Sequence, residues 1–234
     1  MQSACVNEIV NRFNDQADAQ AALPMKQYMR NQFEFLGISS PARVALTKPW
    51  VKEFKGMVED QLEQAVKMLW DLPEREYQYA AVSLLEEHKK KSGIDHIDLL
   101  EWLMINKSWW DTVDTIASHL VGSYFLRYPE QVAVYTEKWM VSGNLWLQRT
   151  ALLFQLAYKK HTDVERLFSY IAMCKDSEEF FIRKAIGWAL RELSKSDPQA
   201  VLRFVKQHTL SPLSYREALK VINRDRNISD LNDK

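Results

Sequence analysis

The segment Lys107-Ser-Trp-Trp-Asp-Thr-Val-Asp114 sets two adjacent indoles just before two carboxylates. On a helix Trp110 and Asp114 stand at i, i+4 and share one face, a turn apart. Further along lie Trp146-Leu-Gln-Arg149 and Ala185-Ile-Gly-Trp188. A carboxylate beside an indole suits chemistry in which positive charge develops. The carboxylate stabilises that charge and can orient or deprotonate a water. An indole face attracts cations by about 0.5–2 kcal/mol per well-placed contact. A guanidinium suits a phosphate. Asp111, in the first turn of the same segment, reads as a carboxylate favoured by the helix dipole.

These residues come from distant parts of the chain, so a regular scaffold must gather them. Apolar spacing is helical almost throughout: Val6, Ile9, Val10 and Phe13 follow i, i+3, i+4, i+7. Ser40-Pro41, Ser108, Asn144 and Ser177 read as helix caps, and Pro73, Pro129, Pro198 and Pro212 as helix starts. This gives about a dozen short helices and no convincing strand. Ala80, Thr115, Ala151, Ala185 and Ala218 form a column spaced by 35, 36, 34 and 33 residues. Each is followed by an apolar residue: Ala81, Ile116, Leu152, Ile186 and Leu219. Five positions before each stand Arg75, Trp110, Trp146, Phe180 and Leu213. A small residue then an apolar one, once per helix pair, suits close helix packing. A period of 33–36 with two helices per period is the signature of an α-solenoid, and its drift resembles degenerate HEAT-like repeats. The expected fold is therefore all-α, a right-handed α-solenoid of helix pairs with a concave groove, forming a single domain over residues 1–234. In that register Trp110 and Trp146 share a column. Asp114 occupies the position held elsewhere by Tyr79, Thr150, Lys184 and Glu217.

Composition narrows the function. The chain has 234 residues, 47% of them hydrophobic, which is ample for a folded core. Its 31 Lys+Arg balance 31 Asp+Glu, and a zero total by itself argues against a nucleic-acid binder. The distribution reverses that argument. Residues 138–226 hold 16 Lys+Arg against 9 Asp+Glu, a surplus of +7, and the remainder holds 15 against 22. No apolar run approaches the ~20 residues of a membrane span, and residues 1–10 lack a secretory pattern. Two cysteines, Cys5 and Cys174, are too few for a disulfide framework and fit a reducing, cytoplasmic setting. No HExxH, zinc-spaced Cys/His set or Gly-rich phosphate loop occurs, so no metal or nucleotide cofactor is expected.

The strings Met25-Lys-Gln-Tyr28-Met, Phe35-Leu-Gly-Ile38, Leu69-Trp-Asp-Leu-Pro-Glu-Arg-Glu76, Lys107–Asp114, Trp146–Arg149 and Ala185–Trp188 together resemble the AlkD-type DNA alkylation repair glycosylases. The likeness covers nearly the whole chain, and the Ser-Trp-Trp-Asp-x-Val-Asp string with its two distant partners is specific. The resemblance implies an active patch of Trp110, Asp114, Arg149 and Trp188, all four intact. It implies hydrolysis of the N-glycosidic bond of cationic N3- and N7-alkylpurines in duplex DNA, without flipping the base and without a cofactor. Arg149 would then bind a flanking phosphate, and Tyr28 would line the far side of the groove. A monomer associated with the nucleoid through DNA is expected.

Other residues admit two readings. Lys159, Lys184 and Arg191 are candidate phosphate contacts or solvated surface. Trp146 either faces the groove or packs beneath Arg149. Trp50, Trp70, Trp102 and Trp139 read as core. The alternative to an enzyme is a HEAT-like scaffold that binds DNA or a protein partner without chemistry.

Overall fold

The structure, a computed structural model, describes residues 1–224. They fall into two compact units, residues 1–107 and residues 108–224. The chain is all-α: among the described residues there are fourteen α-helices and one isolated bridge, between Glu34 and Glu74.

The first unit holds α1 (Gln2–Asn14), α2 (Ala19–Tyr28), α3 (Ser40–Glu53), α4 (Glu59–Asp71), α5 (Arg75–His88) and α6 (His96–Ile105). Its core gathers Ile9, Phe13, Trp50, Leu69, Trp70, Leu84 and Leu85, all almost wholly buried. Two of these are indoles whose N–H must be satisfied once buried. Trp50 donates to the Cys5 carbonyl and Trp70 to that of Asn106, both at 2.9 Å. Two charged side chains are buried with them. Arg75 stacks on Phe33 and donates to the Lys107 carbonyl. The Glu76 carboxylate accepts the backbone N–H groups of Leu36, Gly37 and Ile38, anchoring the loop before α3. Gly37 has φ +90°, and a Cβ there would lie 2.0 Å from the Asp18 carbonyl, so only glycine fits. The Lys107 ammonium caps α4 by donating to the carbonyls of Asp71 and Leu72.

The second unit begins with one continuous helical path. It runs through α7 (Trp110–Thr115), a π-helical turn (Ile116–Val121) and α8 (Gly122–Arg127). Then follow α9 (Gln131–Val141), α10 (Leu145–Leu153), a 3-10 turn at Lys159–His161, α11 (Val164–Cys174), α12 (Phe180–Ser194), α13 (Pro198–Gln207) and α14 (Pro212–Ala218). Gly122 lets the path pass close to α10's end, since a Cβ there would meet the Phe154 carbonyl at 2.4 Å.

Ala80, Ala151, Ala185 and Ala218 are buried, and so is every apolar residue that follows the column. The residues five positions earlier sit in the first turns of α5, α7, α10, α12 and α14. Asn144 caps α10 as expected, accepting from the N–H groups of Trp146 and Leu147. Three cap expectations are corrected. Ser40 is itself the first residue of α3, with Ser39 before it and Pro41 second. The extended residue before α7 is Trp109 rather than Ser108, and that before α12 is Glu179 rather than Ser177. Ser177 instead accepts from the Glu179 N–H. Pro198 and Pro212 open their helices, whereas Pro73 and Pro129 precede theirs by two residues.

Candidate active site

Three helices of the second unit meet at one guanidinium. Arg149 on α10 donates from Nε to Asp114 Oδ1 at 2.7 Å and from Nη2 to Asp114 Oδ2 at 2.8 Å. Its Nη1 donates to the carbonyl of Phe181 on α12. The fork geometry of arginine matches a carboxylate bidentately, which fixes orientation as well as charge. The Arg149 side chain is only 5% exposed and that of Asp114 16%, so the pair is shielded with the carboxylate on the solvent side.

Beneath the pair lies an aromatic cluster. Trp109, Trp146 and Phe181 have ring centroids 5.0–5.7 Å apart in tilted and edge-on arrangements. Phe181 also lies under the Arg149 guanidinium, 5.8 Å from ring centroid to Cζ. Trp146 packs in this layer against Trp109 and Phe181 while staying half-exposed. The two adjacent tryptophans thus differ. Trp109, extended at the start of α7, turns into the cluster, whereas Trp110 stays half-buried one turn before Asp114.

Burial pushes the Asp114 carboxyl up, and nearby Asp111 adds to this. The hydrogen bonds and charge of Arg149 pull it down without fully offsetting burial, so it sits above the usual aspartate value. The Asp114 carbonyl accepts the Ser118 hydroxyl at 2.7 Å, inside the π-helical turn. A bidentate arginine occupies one acceptor site on each carboxylate oxygen, leaving others for a water.

Trp188 lies half-buried on α12, with Lys184 one turn before and Arg191 one turn after. Both cations pair with Glu217 of α14, Lys184 Nζ at 3.3 Å from Oε1 and Arg191 Nη1 donating to Oε2. Lys159 opens the 3-10 turn with φ +54° and an exposed side chain. Tyr28 belongs to the first unit, where it ends α2 and is 72% exposed. There it borders an apolar cavity of about 540 Å³ lined also by Met25, Phe35, Arg43 and Tyr79.

Of the residues singled out by sequence, the structure joins Asp114 to Arg149 by direct contact. It also places Trp188 on the helix whose Phe181 carbonyl holds Arg149. Sequence reasoning passed over Phe181 and Glu217. Glu217 carried a signal, because it falls in the same repeat position as Asp114 and Lys184.

The comparisons agree with this architecture. The family model described as DNA alkylation repair enzyme matches residues 9–222. A solved structure described as "Predicted DNA alkylation repair enzyme from Enterococcus faecalis" is 34% identical, with a TM-score of 0.83. The match covers 87% of this chain and 95% of that one. No curated protein matches. The chain belongs to the DNA alkylation repair enzyme family. It therefore has a role in the repair of alkylated DNA, with DNA as its partner. No helix among the described residues is long and apolar enough to cross a membrane.

Proposed function

We propose that the protein is an alkylpurine DNA glycosylase that releases cationic N3- and N7-alkylated purines, such as 3-methyladenine and 7-methylguanine, from duplex DNA. In this reading residues 1–234 act as one HEAT-like repeat domain. The observation that carries it is the Asp114 carboxylate, locked bidentately by Arg149 one helical turn beyond Trp110. Alkylation gives the purine a positive charge, so the C1′–N bond breaks with its electron pair going to the base, which leaves neutral. The sugar acquires oxocarbenium character. Asp114 stabilises that charge and orients the attacking water, as a carboxylate does in glycoside hydrolysis. The water oxygen bonds to C1′ and its proton passes to Asp114 or to solvent, leaving an abasic site. No acid is needed to protonate the departing base, which explains how one carboxylate can suffice. Trp110 and Trp188 supply the aromatic walls that attract electron-poor sugar C–H groups and the cationic base. The absence of base flipping follows from the resemblance described above.

The pairing changes the emphasis on Arg149. Three of its five donors go to Asp114 and Phe181, so its first task is to hold the carboxylate, and a phosphate is left the remaining two. The other phosphate contacts in this reading are Lys184, Arg191 and Lys159, with Tyr28 at the DNA from the first unit. Purified protein incubated with duplex containing 7-methylguanine should release the free base, and Asp114→Asn should slow release by about 10²–10⁴-fold. Binding to the duplex without release would favour the scaffold reading instead.

A further inference from the structure

Lys184, Trp188 and Arg191 fall at i, i+4 and i+7 on α12 and share one face. The two cations are held from outside that helix. Glu217 of α14 meets Lys184 Nζ with Oε1 at 3.3 Å and accepts from Arg191 Nη1 with Oε2. Gly187 makes this reach possible. A Cβ on it would lie 2.6 Å from Glu217 Cβ and 3.0 Å from the Ser214 carbonyl, so α14 crosses α12 where there is no side chain.

The Glu217 side chain is only 16% exposed, yet burial does not neutralise it. Burial pushes its carboxyl up, but Lys184, Arg191 and Lys220 outweigh that and hold it below the usual glutamate value. One carboxylate among three cations leaves a surplus of positive charge. Such a cluster attracts anions and already contains one. A carboxylate and a phosphate diester offer the same thing to lysine and arginine, two anionic oxygens able to accept from both.

We propose that Glu217 is an internal counter-anion that occupies the donors of Lys184 and Arg191, and so sets how tightly the α12 face holds undamaged DNA. This rests on the DNA-binding reading given above. A phosphate engaging either cation must displace a carboxylate already in place. Glu217 therefore lowers affinity for any duplex by competition, and it reduces the number of phosphates engaged at a given salt concentration.

The test uses the full chain and a fluorescent undamaged duplex, with anisotropy titrations between 50 and 200 mM salt. Glu217→Gln keeps the shape and removes the charge. It should tighten binding by roughly threefold to tenfold, the range for freeing two partly exposed ion pairs. It should also steepen the log–log salt dependence by about 0.9 for each phosphate newly engaged. Adding Lys184→Gln and Arg191→Gln to that variant should abolish the gain. If Glu217→Gln loses its helical circular dichroism, Glu217→Asp keeps the charge but shortens the reach, and a smaller tightening is expected. Unchanged or weaker binding with an unchanged salt slope in the folded variant overturns the proposal. If neither wild type nor variant binds duplex at any salt, the DNA-binding reading itself fails.

Discussion

Replacing Asp114 by Asn tests the centre of the molecule, because it removes one charge and almost no volume. Arg149 would remain 5% exposed, with two bonds to a carboxylate reduced to one bond to a neutral amide oxygen. Losing a hydrogen bond to a charged group costs about 1.5–3 kcal/mol, and removing one partner of a well-buried ion pair about 3–5 kcal/mol. Asparagine keeps one acceptor but sets its NH2 against the other guanidinium N–H, a donor–donor opposition that a protonated aspartate avoids by turning its O–H away, so about 2 kcal/mol is the expected loss. For a chain of this size that lowers the melting temperature by roughly 4–8 °C. The informative experiment is a double-mutant cycle of Asp114→Asn and Arg149→Gln by urea denaturation. The double variant should be less destabilised than the sum of the singles, by about 1–2 kcal/mol, since contacting residues couple. Single-turnover release of 7-methylguanine should fall for both single variants, because Asp114 loses its charge in one and its orientation in the other. Additive stabilities with no coupling, together with wild-type release by Asp114→Asn, would refute the reasoning.

The pH dependence follows from the same carboxylate. Burial places the Asp114 carboxyl above the usual aspartate value, so in the folded protein it takes up a proton at a higher pH than in the unfolded chain. Ionised Asp114 therefore costs stability above its folded value, and that cost fades as pH falls through it. Base release should lose rate along an acid limb above about pH 3.9, and Arg149→Gln should move the limb higher; a limb at or below that value contradicts the burial argument. Gly187→Ala forces contacts of 2.6 and 3.0 Å against α14 and should destabilise by about 1–3 kcal/mol despite alanine's better helix propensity; a raised melting temperature would show that α14 yields freely. Gly37→Ala meets both a positive φ and a carbonyl at 2.0 Å, so a loss of about 3 kcal/mol is expected in urea denaturation, and a change below about 0.5 kcal/mol would contradict it.

Much of the helix content was legible because burial repeats with the helix. Ala80, Thr115, Ala151, Ala185 and Ala218 recur at nearly constant spacing, and the burial of the four alanines needs only a helix pair stacked on its neighbour. Trp110 and Asp114 were legible for the same reason, being one turn apart on one helix. The inward turn of Arg149 was not. Nothing local distinguishes an arginine aimed at phosphate from one aimed at a carboxylate 35 positions earlier. The division of labour between Trp109 and Trp110 was hidden for a related reason. It depends on Trp146 and Phe181 offering one indole a packed layer. Glu217 shares a repeat position with Asp114 and Lys184, but what it pairs with emerges only when α14 crosses α12 at Gly187. Tyr28 was placed by motif alone, and its surroundings of Met25, Phe35 and Tyr79 emerge only from folding.

The π-helical turn at Ile116–Val121 bears on how this chain tolerates change in length. A π-turn takes one residue more than an α-turn before its hydrogen bond closes. The repeat column is spaced by 35, 36, 34 and 33 residues, and the interval of 36 is the one that contains this turn. Trp110 and Asp114 stay on one face ahead of the turn, while the residues after it are rotated relative to a plain helix. The turn works like a vernier between two repeats of unequal length. An insertion or deletion here would turn α8 about its axis and leave the carboxylate where it stands, whereas the same change between Trp110 and Asp114 would break the site.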